Sequence, residues 1–123
     1  MKYRPVPKME WKERFTYVKN VVFEADELGQ EGARFQIVKF LPHTTIEPHY
    51  HEKVREIFYI RSGNGIIRFN GQENRAKADD IFLCEPKDVH EIINDADEEL
   101  VILIFKTNES PDDIIWPDGR KSE

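Results

Sequence analysis

The sequence predicts an all-β sandwich or barrel. Short runs rich in Val, Ile, Phe and Tyr recur along the chain, turn-forming residues separate them, and no long helical periodicity is present. The first runs cover 15–23 and 34–41, with the Gly29 to Gly32 break between them. A turn at 42–45 follows, and further runs cover 56–60 and 65–69, parted by Ser62-Gly63-Asn64-Gly65. Asn70-Gly71 marks a tight hairpin, because both residues accept positive φ at low cost. Runs at 81–84, 89–93 and 100–105 complete the pattern, separated by turns at 85–88 and 94–99.

The last run, Leu100-Val101-Ile102-Leu103-Ile104-Phe105, is apolar on both faces, whereas a half-exposed antiparallel strand alternates. Its outer face therefore needs a cover, supplied either by the chain ends, with Trp11 and Trp116, or by a second subunit. A homodimer is the expectation. Trp116, in Ser110-Pro111-Asp112-Asp113-Ile114-Ile115-Trp116, reads as a packing anchor for a returning tail.

At 123 residues the chain is long enough for one domain with a real core. Its 24 acidic and 18 basic residues give a net charge of -6, which argues against a nucleic-acid or anionic-membrane surface. The longest apolar run has six residues, far below the ~20 needed for a spanning helix. The N-terminus lacks the apolar stretch of a signal peptide, so a cytoplasmic protein is expected. Cys84 is the one cysteine and lies in the apolar run Ile81-Phe82-Leu83-Cys84, where a buried, inert thiol is expected.

The most informative stretch is Pro48-His49-Tyr50-His51-Glu52-Lys53-Val54-Arg55-Glu56. On a strand, His49 and His51 project to one face with Cα atoms roughly 6.6 Å apart. Two imidazoles so placed can converge on an ion at about 2.0–2.2 Å and leave room for the carboxylate of Glu56. Pro86-Lys87-Asp88-Val89-His90 adds a third histidine. Three imidazoles and one carboxylate suit one divalent transition-metal ion per chain, with Fe, Mn, Ni, Zn and Cu not distinguished by the ligands.

The spacing His49-x-His51-x4-Glu56-x6-Gly63 resembles the first motif of the cupin family, G-x5-H-x-H-x3,4-E-x6-G, from its first histidine onward. The stretch from Asp79 to Asn94 resembles the second, G-x5-P-x-G-x2-H-x3-N, with His90 and Asn94 in place. The chain departs from the family at His43, Asp79 and Lys87, where glycine is usual, and at Glu85, where proline is usual and Pro86 follows one step later. His and Asp tolerate left-handed backbone well, and Lys does so less readily.

The resemblance implies a single jelly-roll β-barrel, a double-stranded β-helix, over residues 15–106. An N-terminal extension, 1–14, and a tail, 107–123, flank it. It implies His49, His51, Glu56 and His90 as metal ligands inside the barrel, with Phe58 and Ile60 pointing inward beside Glu56. Asn94 is expected to serve the barrel's hydrogen bonding, and His43 to be structural or solvated.

A site with open positions acts on a small, oxygen-rich molecule rather than serving as a closed structural centre. Dioxygenase-type chemistry on an enolic or diketone substrate is the first expectation. A sugar or sugar-acid isomerase, epimerase or lyase is the second, and a non-catalytic metal-dependent ligand-binding module the third. Glu47, Tyr50, Glu52 and Arg68 are the candidates for proton transfer, and the spacing favours none of them.

Overall fold

Alternation of inward apolar and outward polar side chains builds two antiparallel sheets in the computed structural model, which describes residues 1–117. The strands are β1 (Lys12–Glu13), β2 (Tyr17–Phe23), β3 (Arg34–Phe40), β4 (Thr44–His49) and β5 (Arg55–Ser62). They continue with β6 (Asn64–Phe69), β7 (Gln72–Lys77), β8 (Ile81–Cys84), β9 (His90–Asn94) and β10 (Leu100–Thr107). One sheet has the order β1-β2-β3-β10-β5-β8 and the other β4-β9-β6-β7. This is the jelly-roll barrel that the sequence motifs implied. The last positions of the tail, 118–123, lie outside the described residues.

All seven expected runs form strands, with ends shifted by a few residues. The glycine-rich break after β2 also holds one turn of helix, α1 (Ala25–Leu28). A reciprocal capping box between Glu24 and Glu27 starts it, and Gly29 ends it at φ 68°. Three strands have weak sequence signals. β7 is polar apart from the fully buried Ala76, and it exists because β6 pairs with it along its whole length. β4 contains Pro48, which has no N–H to give, and it occupies a sheet edge where that loss is tolerated. β1 is a two-residue edge strand on β2.

Between the sheets lie Phe58, Ile60, Ile67, Ala76, Leu100, Ile102 and Cys84, each 1% exposed or less. Phe58 and Ile60 therefore point inward as the alternation from Glu56 required. Asn94 is buried at the barrel end. Its amide donates to the carbonyls of Phe40, Leu41 and Glu98 at 2.8–3.2 Å, and its Oδ1 accepts from Ala96 N–H at 3.1 Å. It braces the β9–β10 turn against the end of β3.

The turns account for the residues that stand at positive φ. Asn70 and Gly71 both have positive φ, 52° and 83°, and close the β6–β7 hairpin. Gly63 has φ 81°, and a side chain there would meet the Glu99 carbonyl oxygen at 2.4 Å. His43, Asp79 and Lys87, which stand where the resemblance expects glycine, hold φ of 56°, 74° and 71°. The backbone shape is kept, and these side chains bear its cost.

The outer face of the larger sheet carries a contiguous apolar patch. Phe105 on β10 lies opposite Ile57 on β5, which lies opposite Leu83 on β8; Leu103, Tyr59 and Ile81 form the neighbouring row. Ile57, Leu83 and Ile81 are 42%, 55% and 63% exposed. The N-terminal segment covers this face at β3, and the described part of the C-terminal tail packs at the end of β4. Trp11 packs beneath Lys39, whose Nζ is 4.1 Å from the ring centroid, and Ile115 bridges to Tyr50 through two backbone hydrogen bonds of 2.8 and 2.9 Å.

Replacing Lys87 with glycine should relieve the left-handed strain. Greater freedom in the unfolded chain offsets part of the gain, leaving a net stabilisation of up to about 1 kcal/mol. Urea denaturation should show a raised midpoint for Lys87→Gly. A lowered midpoint would mean that the lysine side chain contributes more than its backbone costs.

Candidate metal centre

β4 ends at His49, so His51 does not lie on the same strand as the sequence reading placed it. The two-bond bridge between Tyr50 and Ile115 takes over from the sheet at that point, and the two imidazoles still converge, with ring centroids 5.5 Å apart. Glu56 arrives from β5, where its register partners are Cys84 on β8 and Lys106 on β10. His90 opens β9, directly opposite His49. A ring nitrogen from each of His49, His51 and His90 lies within 4.8 Å of the other two, and Glu56, Cys84 and His90 form a second such group. The four sequence-predicted residues thus meet in one place.

Each imidazole is oriented by a backbone carbonyl. Nδ1 of His49 faces the Glu47 carbonyl at 2.8 Å, Nδ1 of His51 the Asp113 carbonyl at 2.5 Å, and Nδ1 of His90 the Asp88 carbonyl at 2.9 Å. A carbonyl only accepts, so each Nδ1 carries the proton and each neutral ring keeps a lone pair on Nε2. Nε2 of His51 then lies 2.7 Å from Glu56 Oε1, and Nε2 of His90 lies 3.6 Å from the same oxygen. Glu56 is 4% exposed, and its Oε1 is buried without a properly directed hydrogen bond. Two lone pairs in contact in a buried site require a positive charge between them, either a proton or a cation.

The titration behaviour follows from this geometry. Burial and the neighbouring His90 lower the pKa of His49 to about 4. Burial likewise lowers that of His90, against the pull of Glu56. For His51 burial also works downward, but the hydrogen bond and charge of Glu56 outweigh it and raise the pKa. Burial opposes ionisation of Glu56, yet His51 and Lys106 bring its pKa down to about 2. In the metal-free protein these shifts favour the charged forms of Glu56 and His51 and the neutral forms of His49 and His90.

The donor set fits a divalent transition ion. Three imidazole nitrogens and one carboxylate oxygen match its chemistry, and adjacent ligands at about 2.1 Å from an ion stand roughly 3–3.5 Å apart. The carbonyls behind the rings are the kind of partners that hold metal-ligating imidazoles in place.

The cluster forms one side of a cavity of about 470 Å³. Ile46, Val54, Phe58, Ile92 and Ile104 make an apolar wall, and Lys19, Arg34, Gln36 and Lys106 make a polar one. Residues of the tail, 109–114, also line the cavity. The Asp113 carboxylate accepts from the N–H groups of Glu52, Lys53 and Val54 at 2.8–3.2 Å, while its carbonyl holds His51. Trp116 does return with the tail, and it lands at the site, its ring centroid 5.3 Å from that of His49. Neither residue announces this in the sequence, because the contact spans about sixty positions.

Cys84 is buried, as the apolar run predicted, and burial raises its pKa. Its Sγ lies 3.3 Å from His90 Nδ1, a contact that strand pairing with Glu56 creates. The four expected proton-transfer candidates do not line the cavity. Arg68 is paired with Glu73 and Glu91 on the outside of the barrel. The carboxylates that do line it are Glu56, Glu109, Asp112 and Asp113. Glu109 is paired with Arg34 and Lys106 at 3.1 and 3.4 Å. His43 is exposed and faces Asp97 at 2.6 Å, away from the cavity lining.

Residues 36–106 match the family model for the cupin domain. The oxalate-binding protein of Thermotoga maritima is 32% identical over 78 residues, 63% of this chain; the match spans 64% of that protein's length. Among solved structures, a "predicted oxalate decarboxylase" from Thermotoga maritima superposes with a TM-score of 0.79 at 23% identity, covering 86% of this chain and 98% of that one. The polyketide cyclase RemF from Streptomyces resistomycificus gives a TM-score of 0.78 at 14% identity, covering 90% and 82%. At such identities these structures establish a common fold.

In metal-free protein, stability should fall on acidification in two stages. His49, with a folded pKa of about 4, and His90 resist protonation that the unfolded chain accepts near 6.5, so stability is lost below about pH 6.5. Glu56, depressed to about 2, contributes stability that is present above its unfolded value and is lost as pH falls toward 2. His51 acts in the opposite sense, contributing below its unfolded pKa and losing that contribution as pH rises through its raised folded value. Urea midpoints between pH 8 and pH 3 check this. A midpoint that is constant or rises on acidification contradicts it.

Removing the Asp113 carboxylate takes an ionised acceptor from three backbone N–H groups. Asp113→Ala should cost about 2–3 kcal/mol in the same assay. A cost below about 0.5 kcal/mol would show that the tail is not anchored there.

Proposed function

This chain belongs to the cupin family, and from that premise we propose that it is a metal-dependent enzyme acting on a small, oxygen-rich organic acid. His49, His51, Glu56 and His90 hold one divalent transition-metal ion per chain. The observation that carries this reading is the convergence of two imidazole lone pairs on the unpartnered, buried Glu56 Oε1, with His49 completing the ring of nitrogens. A bound ion supplies Lewis acidity to a carbonyl or enolate oxygen and, where redox-active, one-electron chemistry with dioxygen.

The cavity carboxylates favour dioxygenase-type chemistry over isomerase, epimerase or lyase chemistry, and Lys19 is the cavity group that a proton-transfer reaction would use instead. A reaction that relocates a proton needs a positioned acid or base in the cavity. Glu56 belongs to the proposed ligand set, Glu109 is paired with Arg34 and Lys106, Asp113 accepts from three backbone N–H groups, and Asp112 is exposed. The apolar wall excludes water from a substrate held at the cluster and strengthens its electrostatic contacts. A second reading, metal-dependent binding without turnover, is favoured by the likeness to a relative named as oxalate-binding.

Metal analysis of protein purified without chelator should find close to one ion per chain, and His51→Ala should lose most of it. Full occupancy in that variant refutes the ligand assignment. Affinity should decline as pH falls through the raised pKa of His51, which is the first imidazole to take a proton. An oxygen electrode, read across enolic and diketone acids, then separates the chemistries. Oxygen uptake supports the first reading, anaerobic turnover of sugar acids supports an isomerase or lyase, and tight binding without turnover supports the binding module.

We also propose a homodimer formed through the apolar patch of Ile57, Ile81, Leu83 and Phe105. These residues stay exposed although the N-terminal segment packs on the same face at Lys39, so a second copy is the cover we propose for them. Light scattering should give twice the chain mass of 14.6 kDa, and Leu83→Lys should give the chain mass itself. A wild-type monomer at high concentration excludes this interface.

A further inference from the structure

Beside the metal cluster, the cavity gathers cations that the metal reading does not use. Arg34 on β3, Lys106 on β10 and Glu56 on β5 are direct register partners on three adjacent strands, all facing inward, with neighbouring strands about 4.8 Å apart. Lys106 Nζ lies 3.9 Å from Glu56 Oε2, so this row runs from the cation wall into the proposed ligand set. Lys19, on β2, completes the wall and makes no ion pair among the described residues. Burial, together with repulsion from Arg14, Arg34 and Lys106, lowers its pKa. Glu109 is shared between Arg34 and Lys106, Arg34 also lies 3.7 Å from Glu24, and Lys106 faces Glu56. The same cavity holds the carboxylates Glu56, Glu109, Asp112 and Asp113, so what the wall offers an anion is one ammonium unpaired among the described residues, Lys19, beside two cations already paired.

A second observation is independent of charge. Gln36, between Arg34 and Val38 on the same inward face, is 5% exposed, and its Oε1 is buried without a hydrogen-bond partner. A buried amide oxygen calls for a donor. An anion cannot supply one, whereas a hydroxyl group can.

We propose that Lys19, Arg34 and Lys106 form a subsite for a second oxyanion group, carboxylate or phosphate, on a hydroxy acid whose other end reaches the metal cluster, with Gln36 Oε1 accepting from a substrate hydroxyl. The proposal rests on the metal reading for the first end of the substrate and on the cation wall for the second. The 3.9 Å between Lys106 and Glu56 keeps the two ends close, which selects short acids of a few carbons.

Calorimetry on the protein as purified tests this with lactate, malate and 3-phosphoglycerate. All three are α-hydroxy acids, and only the last two carry a remote oxyanion. Malate or 3-phosphoglycerate should bind at least about tenfold tighter than lactate, the scale of one charge-assisted hydrogen bond, and the tighter of the two identifies the oxyanion. Lys19→Met should abolish the preference and leave metal content per chain unchanged, while Lys19→Arg should keep it. Equal binding of all three acids, or an undiminished preference in Lys19→Met, overturns the subsite. Titration of inorganic phosphate into chelator-treated protein separates the two readings. Binding there that Lys19→Met removes upholds the subsite even where no metal is found, and the absence of such binding in the wild type counts against it.

Discussion

The contact between Glu56 and the imidazoles is the constraint around which the rest of the molecule is arranged. A carboxylate 4% exposed, with an oxygen that no N–H addresses, is tolerable only when a positive charge stands in front of it. The protein fixes where that charge must be by committing each histidine Nδ1 to a carbonyl, which turns three lone pairs inward. The carbonyls come from β4, from the tail and from the turn before β9, so the site depends on the closure of the whole barrel rather than on one segment.

Strand register carries this constraint outward. Glu56 is tied by pairing to Lys106 and Cys84, and Lys106 to Arg34. One row across the sheet therefore passes from the thiol beside His90, through the cluster, to the cation wall of the cavity. The next row, Gln36, Ile104, Phe58 and Phe82, supplies the apolar floor and one unpartnered amide oxygen. A shift of one residue in β5 would turn Glu56 out and Ile57 in, destroying cluster and core together. Strand β10, paired with β3 on one side and β5 on the other, holds that register.

Three glycine-like positions show how a backbone shape persists without the usual residue. His43, Asp79 and Lys87 all adopt positive φ. Lys87 N–H then donates to the His51 carbonyl at 2.6 Å, which ties the turn before His90 to the segment carrying the other two histidines. The strain at Lys87 is local, and the contact it permits belongs to the site.

Local sequence determined the seven strong strands, the Asn70-Gly71 hairpin, the inward facing of Phe58 and Ile60, and the four residues that meet at the cluster. Each of these follows from alternation, from turn chemistry or from motif spacing, and such signals act over a few residues. Strands β4 and β7 were not legible, because Pro48 and the polar run of β7 lack intrinsic strand character and are strands only through their neighbours. The tertiary structure alone decided that Asp113 would hold His51 from sixty-two positions away, that Trp116 would lie on His49, and that Lys19, Arg34 and Lys106 would share a wall with Gln36. Those pairings depend on which strand lies beside which and on how the barrel closes. Side-chain periodicity fixes the face of a residue but not the partner across it.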